Sequence, residues 1–543
     1  MKKNAYLVAL VVVGLMITSM SAMASFGEEK EINNAKEPVI NVIERQEQRH
    51  TLSMPYSQKE NINFLPHALD ITQMTSSEEE EKHPGIGRSP QGQIVFAWED
   101  PAIDDVLWGF SLDDGEEFEL LGYYDMEGLS TYPSIDYWGA GTKFYGTMIP
   151  SYDYLDGGPS FLLECLDPAD SETWGLYSWD WSAHGWYDML DVDIACDNSQ
   201  EDWEFGFISL VSSTTYGDGL DDGAFIFYMN TEEGEAMIGW YYGTDGCKHT
   251  SCDIDHITSK TYAVYDYLNT EDENNTKWDL LVRVDNFANW DASGNLYQIE
   301  ADEGNLTYPS VAVNDNDIII AAENNGNVVA LHSDRGMMGT PTTTIVEEGA
   351  SSPKVSFAKE QIFVVSYVKD GNLYYKLTED GGETWGDAVQ INENDGSVID
   401  EYKTADLCEK GRMAMWSDNQ AGNADIFINT DVYEILEPIL DIGIVMGGFG
   451  VSATLTNTGT MDDENVNWSI EFEEGQGLII LPSGRIKEGV EPTITAGGEV
   501  TVKTGLVLGF GMVSIIVSAT GAEQSVSKTA SGFVLGPFVL GVA

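Results

Sequence analysis

The chain has 543 residues, 42% hydrophobic and 11% aromatic, with 91 acidic against 26 basic side chains and a formal net charge of -65. Composition of this kind excludes a disordered chain, and it excludes nucleic acid as a partner, because no basic stripe is present to displace counterions from phosphates. The length exceeds what one hydrophobic core holds, so two or more domains are expected, with an acidic surface suited to divalent cations, basic partners or high salt.

Residues 1–24 read as a signal peptide. Lys2 and Lys3 precede an apolar run from Ala5 to Met20, and Ala22-Met23-Ala24 offers the small-x-small pattern of a cleavage site. That run is short for a bilayer span, and no later segment holds a longer uninterrupted one, so the expectation is a secreted, cell-surface protein that is not integral to the membrane after cleavage. Asn274, Asn305 and Asn467 open N-x-[ST] sequons, which suit an exported protein. Residues 25–82 are polar, close with Ser76-Ser77-Glu78-Glu79-Glu80-Glu81, and are expected to be a linker.

Between 83 and 437 short alternating apolar runs are separated by Gly, Asp and Asn turns, the signature of many antiparallel strands. The stretches at 131–136 (TYPSID) and 307–312 (TYPSVA) are nearly identical, and 351–356 (SSPKVS) and 83–87 (HPGIG) share their frame. Each is followed by a turn and a second apolar run. A further turn, Thr378-Glu379-Asp380-Gly381-Gly382-Glu383-Thr384-Trp385, matches Ser111-Leu112-Asp113-Asp114-Gly115-Glu116-Glu117-Phe118 at the hydroxyl, the Asp, the Gly and the aromatic. Weaker echoes place anchors at 113, 169, 232, 285, 334, 380 and 431, a spacing of four strands per unit with variable loops. The Asp can accept bonds from backbone amides further along, the Gly supplies positive φ, and the aromatic packs between neighbouring sheets.

Thr378 to Trp385 resembles the Asp-box, [ST]-x-D-x-G-x-T-W, of sialidase-type (BNR-repeat) β-propellers. The resemblance implies an all-β fold: a multi-bladed propeller over 83–437, with seven blades favoured and six as the alternative. Thr378, Asp380, Gly382, Thr384 and Trp385, with Ser111, Asp113, Gly115 and Phe118, would then be structural clasps on the rim, away from the pocket. A sialidase-like site would need three arginines, and bidentate carboxylate recognition favours guanidinium. Here Arg88, Arg283, Arg335 and Arg412 are the arginines of 83–437. Two of them fall in Asp-box frames, and Asp100-Pro101 stands where another arginine is often found.

No catalytic residue is therefore assigned. The ligand-binding candidates are Trp98, Glu99 and Asp100 at the end of a second strand, Asp136 after a first strand, and the dense aromatics Trp179, Trp181 and Trp186. Aromatics beside acids can stack on sugar faces and bond hydroxyls, although most would serve packing. Asp218, Asp221 and Asp222 form an acidic loop with oxygen ligands for Ca²⁺, or a simple acidic turn. Of the five cysteines, Cys165, Cys196, Cys247, Cys252 and Cys408, the pair Cys247 and Cys252 is the disulfide candidate. His249 and His256 nearby keep a metal site as the alternative.

From 438 to 543 acidic residues thin out and Val, Ile, Thr and Gly dominate, with about seven short strands, which fits an Ig-like β-sandwich. The stretch at 454–460 (TLTNTGT) resembles Ig-like modules of prokaryotic surface proteins. The expectation is a non-catalytic, exported binding or adhesion protein engaging a glycan or a cell-surface protein. A diverged sialidase-like glycoside hydrolase and a structural envelope component are the alternatives.

Overall fold

The computed structural model describes the strands 41–44, 49–50 and 65–66 and most of the chain from 71 to 542. From 71 on, the residues outside the description are 77, 90–91, 125–127, 129, 139–142, 150–159, 166, 171–172, 180–185, 197–204, 215–221, 231–235, 243–245, 256–257, 259, 271–275, 287–290, 302, 315–316, 335–340, 360, 409–411, 433–437, 439, 460–461, 474–477, 482–484, 522–524 and 543. The expected signal peptide, 1–24, therefore lies outside the described residues. Every described element is a strand apart from short turns, and no described helix is long and apolar enough to cross a membrane.

The chain divides into two compact units, Met1–Tyr433 and Glu434–Ala543. Among the described residues unit 1 holds seven successive antiparallel sheets. The first strands of these sheets are Lys82–Arg88, Thr131–Trp138, Trp186–Cys196, Thr250–Asp255, Leu306–Val313, Ser351–Lys359 and Ala405–Leu407. Each packs against the first strand of the next sheet, and the seventh packs against the first, so the ring closes and the fold is propeller-like.

Apolar residues drive this arrangement from both faces of each sheet. In Ile94–Asp100 and Asp105–Ser111 every residue is buried, as sheets sandwiched between neighbours require. Phe96, Trp98 and Leu107 of the first sheet share a core with Met415, Ile426 and Ile428 of the seventh. Val95, Trp108 and Phe110 face the second sheet's Tyr137, Phe144 and Trp174.

The first strands are also clasped side chain to backbone. The amide of Cys196 donates to Asp136 Oδ2 at 2.6 Å, that of Cys252 to Asp193 Oδ2 at 3.0 Å, and that of Val313 to Asp253 Oδ2 at 2.8 Å. The series continues with Val355 N to Ser310 Oγ at 3.0 Å, Ser356 Oγ to Cys408 O at 3.2 Å, and Ile86 N to Asp406 Oδ2 at 3.0 Å. Between the first and second sheets glycines take this place. A Cβ on Gly85 would stand 2.6 Å from Pro133 O, so only glycine permits the approach.

The seventh sheet departs from the sequence expectation. Its fourth strand is Ile71–Gln73, which pairs with Asp425–Asn429, so part of the segment expected to be a linker (25–82) belongs to the ring. Ile71 and Met74 are buried there, and Met74 N donates to Ile426 O at 2.7 Å.

Unit 2 has a three-stranded sheet and a larger sheet around Ser525–Gly536 and Leu508–Thr520. Both contribute to one core, in which Leu440, Ala453 and Val502 meet Ile470, Phe472 and Ile515, giving a β-sandwich.

Candidate functional site

Antiparallel pairing fixes what each end of the ring presents. The start of every first strand and the turn between second and third strands share one end of the axial cavity. The turn between third and fourth strands lies at the other. The cavity itself is lined by first-strand residues, among them Ser134, Asp193, Ser251, Ser310, Lys354 and Asp406. Lys354 Nζ stands 2.8 Å from Asp406 Oδ1. Burial works against its charge, but Asp406 and Asp193 outweigh this and hold it protonated.

At the mouth, five residues that open first strands have positive φ without being glycine: His83 (50°), Tyr132 (52°), Tyr308 (53°), Ser352 (51°) and, in the segment leading into the seventh sheet, Lys403 (53°). Proline follows four of them, and a register shift marks the start of each of those four strands. Left-handed backbone at a bulky residue costs of the order of 1 kcal/mol, so neighbouring contacts must hold it.

Those contacts form an aromatic and carboxylate cluster. His83 Nδ1 lies 2.6 Å from Glu99 Oε2, and Thr131 Oγ1 donates to the same oxygen. Burial would raise the Glu99 carboxyl, but the bonds from His83 and Thr131 outweigh it and the carboxyl is held below its ordinary range. His249 repeats the arrangement: its Nδ1 is 2.6 Å from Oδ2 of fully buried Asp266, which also receives the His249 amide on Oδ1 at 2.8 Å. Such a carboxylate fixes the ring and leaves Nε2 for other partners.

Tyr402 joins these groups. Its ring centroid lies 4.5 Å from His249, 5.2 Å from Tyr308 and 6.0 Å from Tyr132. Its hydroxyl donates to Asp191 Oδ2 at 2.5 Å, and Lys403 Nζ donates to Asp191 Oδ1 at 2.6 Å. Lys403 Nζ also stands 5.4 Å from the Tyr132 ring centroid. Burial first, then the Asp191 charge, pushes the Tyr132 hydroxyl up to about 12 and the Tyr402 hydroxyl well up, so both remain donors. Glu323, which accepts the Ser352 amide at 2.7 Å, is raised by burial and then by Asp400.

The sequence-derived candidates scatter. Glu99 is at the mouth. Trp98 is fully buried and stacks on Phe96 at 5.7 Å, a core residue and not a ligand platform, because a second strand between two sheets has no free face. Asp100 is buried and accepts the Ala102 amide, forming the turn toward Asp105. Asp136 lines the cavity, where its carboxylate holds the neighbouring strand. Trp179 and Trp186 lie in Trp174–Trp179 and Trp186–Cys196, with side chains outside the description. Trp181, Asp218 and Asp221 lie outside the described residues, and Asp222 begins the strand Asp222–Asn230 with its side chain outside it. Among the described residues no group of three or more His, Cys, Asp or Glu is placed to hold a metal ion.

Cys247 and Cys252 require a correction. All five cysteines are buried and none is in a disulfide. Cys252 lies inside the strand Thr250–Asp255 with its amide on Asp193, and Cys247 precedes that strand.

At the far end, Thr378 Oγ1 donates to Asp380 Oδ1 at 2.8 Å, the Gly382 amide donates to Thr378 Oγ1 at 2.9 Å, and the Thr384 amide donates to Asp380 Oδ1 at 2.9 Å. Gly382 has φ +98°, and Trp385 Nε1 donates to Thr344 Oγ1 of the preceding sheet at 3.2 Å. Ser111, Asp113, Gly115 and Glu117 repeat the bonds, and Phe118 packs on Phe96 at 5.8 Å. Arg88 binds Asp114 of that turn at 2.7 Å, and Arg283 is buried within the fourth sheet, so neither lines the mouth.

Sequence reasoning missed Tyr132, Asp191, Asp266, Tyr308, Glu323, Tyr402 and Lys403, and raised His249 only as part of an alternative metal site. The repeated Tyr-Pro of 131–136 and 307–312 carried the signal, since both tyrosines stand at the start of a first strand and meet Tyr402 at the mouth.

No protein-family model matches the chain, and no curated protein matches it. Among solved structures it is similar to a protein of unknown function from Dyadobacter fermentans (11% identity, TM-score 0.40, covering 66% of this chain and 98% of that one). It is also similar to a Hadza microbial sialidase (12%, 0.36, 64% and 65%) and to the α-L-arabinanase of Penicillium chrysogenum complexed with arabinobiose (11%, 0.38, 73% and 100%). At these TM-scores the likenesses stand as likenesses alone.

Proposed function

We propose that the chain is an exported cell-surface protein in which a seven-bladed propeller of Asp-box type, followed by an Ig-like module, binds a neutral or amine-bearing glycan at its channel mouth without turning it over. The observation that carries this reading is the composition of the mouth: Tyr132, Tyr308 and Tyr402 interleaved with Glu99, Asp191, Asp266 and Glu323. Tyrosine faces accept the C–H faces of sugars, and carboxylates accept hydroxyl or ammonium protons. The same carboxylates repel an acidic sugar, and Arg88 and Arg283 lie away from the mouth, which disfavours a sialoside. A glycan array probed with the secreted chain, beside a sialoside hydrolysis assay, tests it. Binding to neutral or amino sugars without turnover is expected; sialoside turnover defeats the reading.

A second reading rests on His249. An imidazole fixed by buried Asp266, beside a Glu323 carboxyl raised by burial, has the parts of an acid–base pair for glycoside cleavage. Release of reducing ends from a neutral polysaccharide, abolished by His249→Gln, would favour this reading over the first.

A further inference from the structure

The outer face of the larger sheet in unit 2 carries a block of large apolar side chains. Cross-strand pairing lines up Leu478, Phe510, Leu535, Phe538 and Phe449 across five strands in one row, and Met512, Phe533 and Leu540 in the next. Along Leu508–Thr520 the inward positions Val513, Ile515 and Val517 are buried, so alternation places Phe510 and Met512 outward. Apart from half-buried Phe533, all are 39% to 70% exposed. At ~150–200 Å² per large side chain they offer roughly 600–750 Å² of apolar surface, near the ~800 Å² per partner of a stable interface.

We infer that this face binds a second copy of the same chain, face to face. Two observations select that occupant. The first is charge. Elsewhere the other 90 of the 91 acidic residues would set carboxylates against carboxylates in a self-contact, whereas residues 504–543 hold only Glu523 and Lys528 as charged residues. On the same face, beyond Met512 and Phe533, the paired Ser514 and Ser531, then Ser518 and Ser527, make a polar margin, with Glu471 opposite Ile516 on the neighbouring strand. An apolar, aromatic centre with such a margin has the anatomy of a protein interface.

The second is the kind of aromatic. The chain holds 25 Tyr and 14 Trp, yet the aromatics of the face are Phe449, Phe510, Phe533 and Phe538. A lipid-seeking surface favours Trp and Tyr at the headgroups and basic residues beside them. A face presented twice about a two-fold axis is self-complementary and closes, so assembly stops at the dimer.

Sedimentation velocity of the full mature chain at low and high salt tests the inference. A dimer is expected at micromolar concentration, tightening as salt screens the net charge. Phe510→Ser with Phe538→Ser should raise the dissociation constant about tenfold or more, whereas Ile345→Ser, an exposed apolar residue of unit 1, should leave it unchanged. If the double variant loses its cooperative melt, Met512→Thr with Leu535→Thr replaces it, since both keep strand-compatible side chains. A monomer up to about 100 µM at both salts, a dimer indifferent to both variant pairs, or a monomer that floats with phosphatidylcholine vesicles would each overturn the inference, the last by giving the face to lipid.

Discussion

Lys403 and Asp191, 212 residues apart in sequence, meet at 2.6 Å at the mouth of the axial cavity, where Asp191 also receives the Tyr402 hydroxyl and the Thr250 amide at 2.8 Å. One buried carboxylate thus ties the segment entering the seventh sheet to the third and fourth. Asp191→Ala leaves the partly buried Lys403 ammonium without its carboxylate and should cost up to about 3 kcal/mol, whereas Asp191→Leu combined with Lys403→Met should recover part of that. Chemical denaturation of the single and double variants measures the difference.

At the mouth, Tyr308 is held by the His249 ring at 4.4 Å and by Tyr402. If glycans stack there, Tyr308→Ala should weaken binding about tenfold, by loss of roughly 1–1.5 kcal/mol of aromatic contact, while Tyr308→Phe should keep most of it. Isothermal titration with the best array ligand separates the two variants.

Closure of the ring should depend on pH through Asp425. Burial, and then the neighbouring Asp418 charge, raises its carboxyl to about 6, although bonds from Thr75 and Gln73 oppose this. Buried Glu81 shares the Thr75 hydroxyl. A raised carboxyl contributes stability in full below its ordinary range and loses it as pH rises through about 6. Melting temperature should therefore fall between about pH 4 and pH 6 through this group, and Asp425→Asn should flatten that slope. An unchanged slope would remove Asp425 as its source.

The turn at Thr378 to Trp385 has the opposite sign. Slight burial would raise Asp380, but bonds from Thr384 and Thr378 win and lower it. Stability from this group is present above the ordinary aspartate range and fades as pH falls through the depressed value. Asp380→Ala removes the acceptor of several short-range bonds and should cost about 1–2 kcal/mol while leaving glycan binding intact, since the turn is at the far end from the mouth.

Because no cysteine is in a disulfide, dithiothreitol should leave the melting temperature unchanged. A drop of several degrees would restore the Cys247–Cys252 bridge.

Much of the strand order was legible because it is local. Gly, Asp and Asn punctuate short apolar runs, and the anchors from 113 to 431 all fall at the end of a third strand or just after it. The closing strand was not legible. Among the described residues of that polar stretch Ile71 and Met74 are the two buried apolar side chains, and the partners of this strand lie some 350 positions away. The mouth escaped for a related reason: Glu99 was singled out among 91 acids, but no spacing rule says that Asp191 and Tyr402 face one another. Trp98 was misjudged because a tryptophan beside two acids looks the same in sequence whether it packs a core or a sugar.

The pairing of Ile71–Gln73 with Asp425–Asn429 has a consequence for how the molecule comes into being. The early part of the chain leaves the ribosome long before its partner strand exists, so six sheets can assemble while the ring stays open. Docking that strand is a long-range, slow step with exposed sheet edges until it is complete. A protease that nicks the chain ahead of residue 82 would therefore act on the last event of folding, leaving the other sheets formed but unclosed.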